Sequence, residues 1–247
     1  MRKTALALIA LGLVVAMTAS ANVRISQIYG ANGNTYKCDY VELFNSTAAP
    51  VDIGGWSLQY GSSTGSSFGS STFNYVFIPA GATIPALGYY LIRGACTTAG
   101  ADLPLTADLV ASGPNFPPGG FNASGTSGKF ALFNDQVTGR TPAQVMVLPT
   151  PAFLMDLVGY GPSANAYETA PAPAGTTTTV LVRKLGGRQD TNNNSADFTG
   201  ETQPYAMHNA SSLANVPSMS QWGMLILASM LVVTGVFYVW RRRTALA

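Results

Sequence analysis

Asp190, Asn192 and Asn194 stand at positions one, three and five of a twelve-residue span that Glu201 closes. That spacing is the one with which a calcium loop presents hard oxygen ligands and a final bidentate carboxylate. Ser195 occupies the sixth position, where such loops need glycine, and the segment follows a predicted strand instead of a helix. The same residues also read as a hydrogen-bonded turn that caps the last strands, and this reading is preferred. Calcium on Asp190, Asn192, Asn194 and Glu201 is therefore kept as an alternative, and no other cofactor is expected.

Other chemistry is poorly served. His208 is the single histidine of the chain, and between Met207 and Asn209 it has no neighbour in sequence that would orient an imidazole as a general base. A zinc site built from His208, Cys38 and Cys96 lacks any ligand pair with finger-like spacing. Asp39 and Glu42 fall on opposite faces of a strand, so they cannot flank one scissile bond. There is no glycine loop followed by lysine and no dinucleotide fingerprint. No catalytic residue is predicted, and the expectation is a protein that is not an enzyme.

The elements that must position these residues are strands. Val23 to Tyr29, Tyr40 to Phe44, Trp56 to Tyr60, Asn74 to Ile78, Tyr89 to Arg93, Lys129 to Phe133, Met155 to Tyr160 and Val180 to Lys184 are rich in branched and aromatic residues. Gly30 to Asn34, Gly54-Gly55, Pro79 to Gly81, Pro114 to Gly120 and Gly186-Gly187 punctuate them. No segment of the middle reads as a long amphipathic helix, so two antiparallel sheets packed face to face are expected. Trp56 is the candidate central core plug. Gly61 to Ser71 is read as a flexible, low-complexity connection, and Arg183, Lys184 and Arg188 as a basic surface cluster.

Both ends of the chain carry targeting signals. Arg2 and Lys3 precede an apolar run from Ala5 to Val15, and Ala19-Ser20-Ala21 supplies small residues for signal-peptide cleavage after Ala21. Near the other end, Gly223 to Trp240 is an uncharged apolar stretch of 18 residues. At about 1.5 Å per residue it covers roughly 27 Å, close to the hydrocarbon thickness of a bilayer. Arg241, Arg242 and Arg243 follow as a stop-transfer signal that belongs on the cytoplasmic side. Setting the five terminal basic residues aside leaves eight against eleven acidic ones, a net charge of −3 for the exported part. Phosphate-backbone binding then has no electrostatic basis, so nucleic acid is not an expected partner. Cys38 and Cys96 both lie in this exported part and are expected to pair, the alternative being two buried small apolar side chains.

Ordered blocks carry a family resemblance. Ile25 to Tyr29, Asp39 to Asn45, Val51 to Leu58, Ile78 to Gly81 and Gly88 to Ile92, continued by Lys129 to Phe133, Asp156 to Gly161 and Asp190 to Phe198, resemble the bacterial lamin-tail domain (LTD) over about Val23 to His208. The resemblance implies an immunoglobulin-like β-sandwich and a module that tethers or binds. In exported bacterial proteins such a module often accompanies nucleases or phosphatases, and no such domain is present in this sequence. The tail is similar to the sorting tails named for Ile-Pro-Thr-Leu (IPTL-type). Pro217, Ser220, Trp222, Gly223 and the arginine triplet fit that pattern, whereas Val216, Ser218, Met219 and Gln221 depart from it. The likeness implies an exosortase-type enzyme as partner, with a permanent single-pass anchor as the alternative.

The resulting organisation is a signal peptide at 1–21, a lamin-tail-like β-sandwich at 22–209, a linker with sorting motif at 210–218, and a transmembrane helix with an arginine-rich tail at 219–247. The expected function is non-catalytic binding, adhesion or envelope structure at the cell surface. Its ligand or envelope partner is not specified by the sequence. The alternatives are a calcium-dependent surface module or an accessory to an extracellular nuclease or phosphatase system.

Overall fold

The computed structural model describes residues 23–30, 33–71, 74–111, 120–212 and 229–230. The expected signal peptide and its cleavage residues Ala19 and Ala21 lie outside the described residues, as do Val216 to Met219, Trp222, Gly223, the arginine triplet and all but two residues of the expected membrane span. Among the described residues no helix is long and apolar enough to cross a membrane.

Over the described residues the chain is mostly β-strand with little helix. In order it forms β1 (Val23–Tyr29), β2 (Cys38–Asn45), β3 (Val51–Asp52), β4 (Ser57–Ser62), β5 (Tyr75–Phe77), β6 (Thr83–Ile84), β7 (Tyr89–Cys96), β8 (Leu109–Val110), β9 (Gly128–Phe133), the single-turn α1 (Pro142–Val145), β10 (Leu154–Tyr160), β11 (Thr179–Arg183), the single-turn α2 (Asn194–Asp197) and β12 (Phe198–Thr202). A six-stranded sheet runs β12-β11-β1-β2-β7-β8, a four-stranded sheet β10-β9-β4-β5, and β3 pairs with β6. Every pairing is antiparallel except β7 with β8.

The two larger sheets share one core. Ile25, Val41, Leu43, Ile92 and Leu181 from the first sheet meet Leu58, Phe130, Leu132 and Val158 from the second, all of them buried. Each such side chain contributes about 1.5–3 kcal/mol on leaving water. Trp56 departs from the expected central position. It is only partly buried and packs on the rim of this core, because the Gly54-Gly55 turn delivers it before β4 enters the sheet. Phe121, Phe130 and Tyr60 occupy the centre instead, with ring centroids 5.1–5.2 Å apart.

The six-stranded sheet is buried on its other face as well. Tyr29, Tyr36, Tyr40, Leu91, Val180, Val182 and Met207 form a second cluster there. The cover is the segment from Gln203 to Ser212, which returns across the sheet and is tied by Gln203 Nε2 to the Tyr40 hydroxyl at 2.9 Å and by the Gln27 amide to the Ala206 carbonyl at 2.8 Å. Cys38 and Cys96 face each other in register across β2 and β7 and are joined by a disulfide at the end of this sheet.

The Gly61 to Ser71 connection is pinned, contrary to its reading as a flexible stretch. Phe68 is fully buried, and the Lys129 ammonium donates to the Ser62 and Gly65 carbonyls and to Asn165 Oδ1, each at 2.7 Å. With no carboxylate among these partners, burial brings the Lys129 amine down to about 8.

Candidate functional site

Side-chain alternation on β10 and β11 drives charge into the gap between the sheets. Asp156 shares its face with Val158 and Tyr160, and Arg183 shares its face with Leu181, all three companions being residues of the core. Arg183 is fully buried, not part of a basic surface cluster as the sequence suggested. Its Nη2 meets Asp156 Oδ2 at 2.7 Å and its Nε donates to the Ile25 carbonyl at 2.8 Å. Nη1 lies 3.7 Å from both Asp190 and Asp197, and the guanidinium sits 4.6 Å over the Phe198 ring. Burial works against this cation, yet Asp156, Asp190 and Glu168 outweigh it and hold the guanidinium above its ordinary pKa.

The acids respond unequally to this shared environment. Burial raises the Asp156 carboxyl, opposed by Arg183 and by the Ile25 amide, which donates to Oδ2 at 2.6 Å. At Asp197 burial also raises the carboxyl, but the Thr191 amide and hydroxyl, both at 2.8 Å, outweigh it and leave the group below its usual value. At Glu168 the opposing attraction of Arg183 is too weak to compensate. Burial, reinforced by the negative charge of Asp156, pushes it up to about 9, so it is a neutral acid at neutral pH.

Glu168 is delivered by the segment that runs back along β10 after Tyr160. Gly159 makes this approach feasible, since a Cβ there would come within 2.0 Å of the Ala166 carbonyl oxygen. Asn194, fully buried at the start of α2, locks the arrangement. Its Oδ1 accepts from the Gly159 and Glu168 amides, and its Nδ2 donates to the Leu157 carbonyl and, at 3.0 Å, to Glu168 Oε2. Glu168 Oε1 makes no bond among the described residues, and Glu168 is one of the residues that line a cleft of about 430 Å³. The cleft walls are Val145 at the end of α1, Met146 to Leu148, Leu154 and Leu157 of β10, and the stretch from Tyr167 to Thr169.

A second polar group lies on the outer face of the six-stranded sheet. Glu42 is almost completely buried and accepts from Ser26 Oγ at 2.6 Å, Gln27 Nε2 at 3.2 Å, and the His208 amide at 2.7 Å. His208 Nδ1 also meets Glu42 Oε2 at 3.1 Å, and its ring stacks on Tyr89 at 4.2 Å. His208 thus has the support that its sequence neighbours did not reveal. The order of groups still differs from that of an acyl-transfer triad, because the carboxylate stands between the hydroxyl and the imidazole and no hydrogen bond runs from Ser26 to His208.

The predicted calcium ligands are not brought together. Asp190 faces Arg24 and Arg183, and Asn194 is turned inward onto β10. Asn192 has a left-handed φ of 54° and lines the cleft rim, and Glu201 lies in β12 opposite Val180. Among the described residues no group of three or more His, Cys, Asp or Glu could hold a metal ion. Asp39 and Glu42 do sit on opposite faces, Asp39 accepting from the Ala123 amide on the core side.

As site residues, sequence reasoning passed over Asp156 and Glu168 and placed Arg183 on the surface. The alternation of β10 and β11 could have placed the first and third inside. Glu168 carries no local signal, since its place depends on a loop folding back.

No curated protein matches this chain. Among solved structures it is similar to a DUF4876 family protein from Bacteroides thetaiotaomicron, at 12% identity and a TM-score of 0.49, with 83% of this chain and 76% of that one covered. The family model of the Lamin Tail Domain, a non-catalytic module, matches residues 16–147, from before β1 to just past α1, and so excludes Asp156, Glu168 and Arg183. With more than half of its length matched, the chain belongs to the Lamin Tail Domain family.

Proposed function

We propose that this is an exported, membrane-anchored protein of the cell envelope whose immunoglobulin-like β-domain binds a partner without catalysing a reaction. The observation that carries the reading is the use of the polar groups. Arg183, Asp156, Asn194 and Glu42 are each engaged in bonds that hold the fold together, while the cleft beside Glu168 is open and walled mostly by apolar side chains. The Cys38–Cys96 disulfide suits an oxidising compartment, in keeping with the leader-like start and the apolar, arginine-terminated end of the sequence. The full chain carrying a tag after Ala247 tests the placement in a bacterial host. Protease added to spheroplasts should digest the β-domain and spare the tag, and digestion of the tag alone would reverse the topology. A mature mass short of about 25 C-terminal residues would identify the span as a sorting signal, and an intact end would identify a lasting anchor.

A further inference from the structure

We propose that the cleft between Met146–Leu148 and Tyr167–Thr169 is a binding site for an uncharged apolar molecule that carries a hydrogen-bond acceptor, its apolar body on Val145, Leu154 and Leu157 and its acceptor on Glu168 Oε1. The proposal rests on the reading of the domain as a binding module, and not on where the chain resides. The cleft has the size and make-up of a small-molecule site, with mostly apolar walls and a few convergent polar groups. Its outer wall keeps large apolar side chains in solvent, Met146 at 45%, Val147 at 47% and Leu148 at 87% exposure. Glu168 is fixed by Asn194 through one carboxyl oxygen, leaves the other without a bond among the described residues, and borders the cavity.

The charge of the ligand follows from the lining. No lysine, arginine or histidine borders the cleft, so a bound anion would lose its hydration with nothing in return. A bound cation would require Glu168 to ionise beside Asp156, Asp190 and Asp197, with Arg183 already committed to these acids. The groups that bear on Glu168 are Asn194 and Asp197 of α2, Asp156 of β10, Arg183 of β11, and Asp190 ahead of α2. Burial, reinforced by the charges of Asp156, Asp190 and Asp197 and opposed by Arg183, favours the neutral carboxylic acid, which donates a hydrogen bond and suits an uncharged partner.

Benzophenone is a suitable probe, being an uncharged apolar ketone that attaches to nearby C–H bonds on irradiation. The purified full chain is irradiated with benzophenone, with 4-benzoylbenzoate and with 4-benzoylbenzyl-trimethylammonium, and the adducts are mapped by mass spectrometry. Adducts of the neutral ketone should concentrate between Val145 and Leu157 and exceed those of either charged analogue by about tenfold or more. Leu148→Glu and, independently, Val147→Asp place a charge at the exposed rim and should each cut this labelling by about fivefold, with the thermal midpoint reporting that the fold persists. Labelling should decline as pH rises through about 9, and in Glu168→Gln, which keeps an N–H donor, that decline should vanish. Adducts scattered over the surface, a charged analogue that labels as well as the ketone, rim variants that label like the wild type, or labelling that is lost as protein concentration rises because a second copy covers the cleft would each overturn the proposal. None of these results depends on the topology experiment, so the two readings fail separately.

Discussion

Asp156 and Glu42 are both carboxylates removed from water, one between the sheets and one on the outer face of the six-stranded sheet, and they are held by opposite means. Asp156 faces a full counter-charge, the fully buried Arg183 guanidinium at 2.7 Å. Glu42 is held by four polar contacts from three residues, and the one ring among them is 24% exposed. An ion pair in low dielectric loses most of its worth when one partner goes, because the other is left charged and dry. A set of hydrogen bonds to one acceptor degrades in steps. Arg183→Met should therefore be the most damaging change in this comparison, at about 3–5 kcal/mol in urea unfolding. A loss below about 1 kcal/mol would mean that Asp156 takes up a proton freely and that the pair is not what holds β10 to β11. Glu42→Gln should cost about 1–3 kcal/mol, since its amide would set two protons among groups that are themselves donors. Its effect should also be local: amide exchange should quicken first at Tyr205 to Asn209, and a uniform rise across both sheets would contradict the stepwise picture.

The comparison also separates what the sequence discloses from what it hides. Strand alternation placed Tyr40, Glu42 and Phe44 on one face and Val41 and Leu43 on the other, in keeping with Val41 and Leu43 in the inner cluster, Tyr40 in the outer one and Glu42 beside His208. It did not show that the Glu42 face is covered, because the cover comes from Gln203 to Ser212, about 160 residues further on. The eight main strands were legible because each is a run of branched and aromatic residues between turn formers. The two-residue strands β3, β6 and β8 are too short to carry any period, and β12 is broken by Gly200 and Glu201. Asp190, Asn192 and Asn194 had the spacing of a metal loop, yet the fold turns Asn194 inward and gives Asp190 to two arginines. Spacing along a chain fixes ligand geometry only when the local backbone is fixed too. The cleft was invisible for a related reason: its two walls are joined by β10, whose bulge between Leu154 and Asp156 and whose close approach at Gly159 are tertiary facts.

Glu168 sharpens the contrast by having neither solution in full. The unfolded chain releases its proton near 4.5, whereas the folded chain holds it to about 9. Between these values the folded state binds more protons, so the contribution of this group to stability falls as pH rises through that window. Below it and above it the contribution is level. Glu168→Gln removes the slope, and its thermal midpoint should gain on that of the wild type between about pH 5 and pH 9. Allowing for solvent at the cleft mouth, the gain should amount to on the order of 1 kcal/mol. Parallel curves for the two proteins would mean that Glu168 ionises in the fold and that Asn194 alone sets its position.

The smallest effect belongs to His208, and it decides whether Glu42 acts as a hub. His208→Ala removes the stack on Tyr89 and the Nδ1 contact with Glu42, but the backbone amide keeps its 2.7 Å bond to the same carboxylate. A loss of about 0.5–1 kcal/mol is expected. If the ring acts through Glu42, the same change in a Glu42→Gln background should cost less than it does alone, because the acceptor it served is already impaired. If the two losses add, the ring holds the C-terminal segment through Tyr89 alone, and the outer cluster is then two separate contacts. The Arg183 cluster permits no such separation, since Asp156, Asp190 and Asp197 share a single guanidinium.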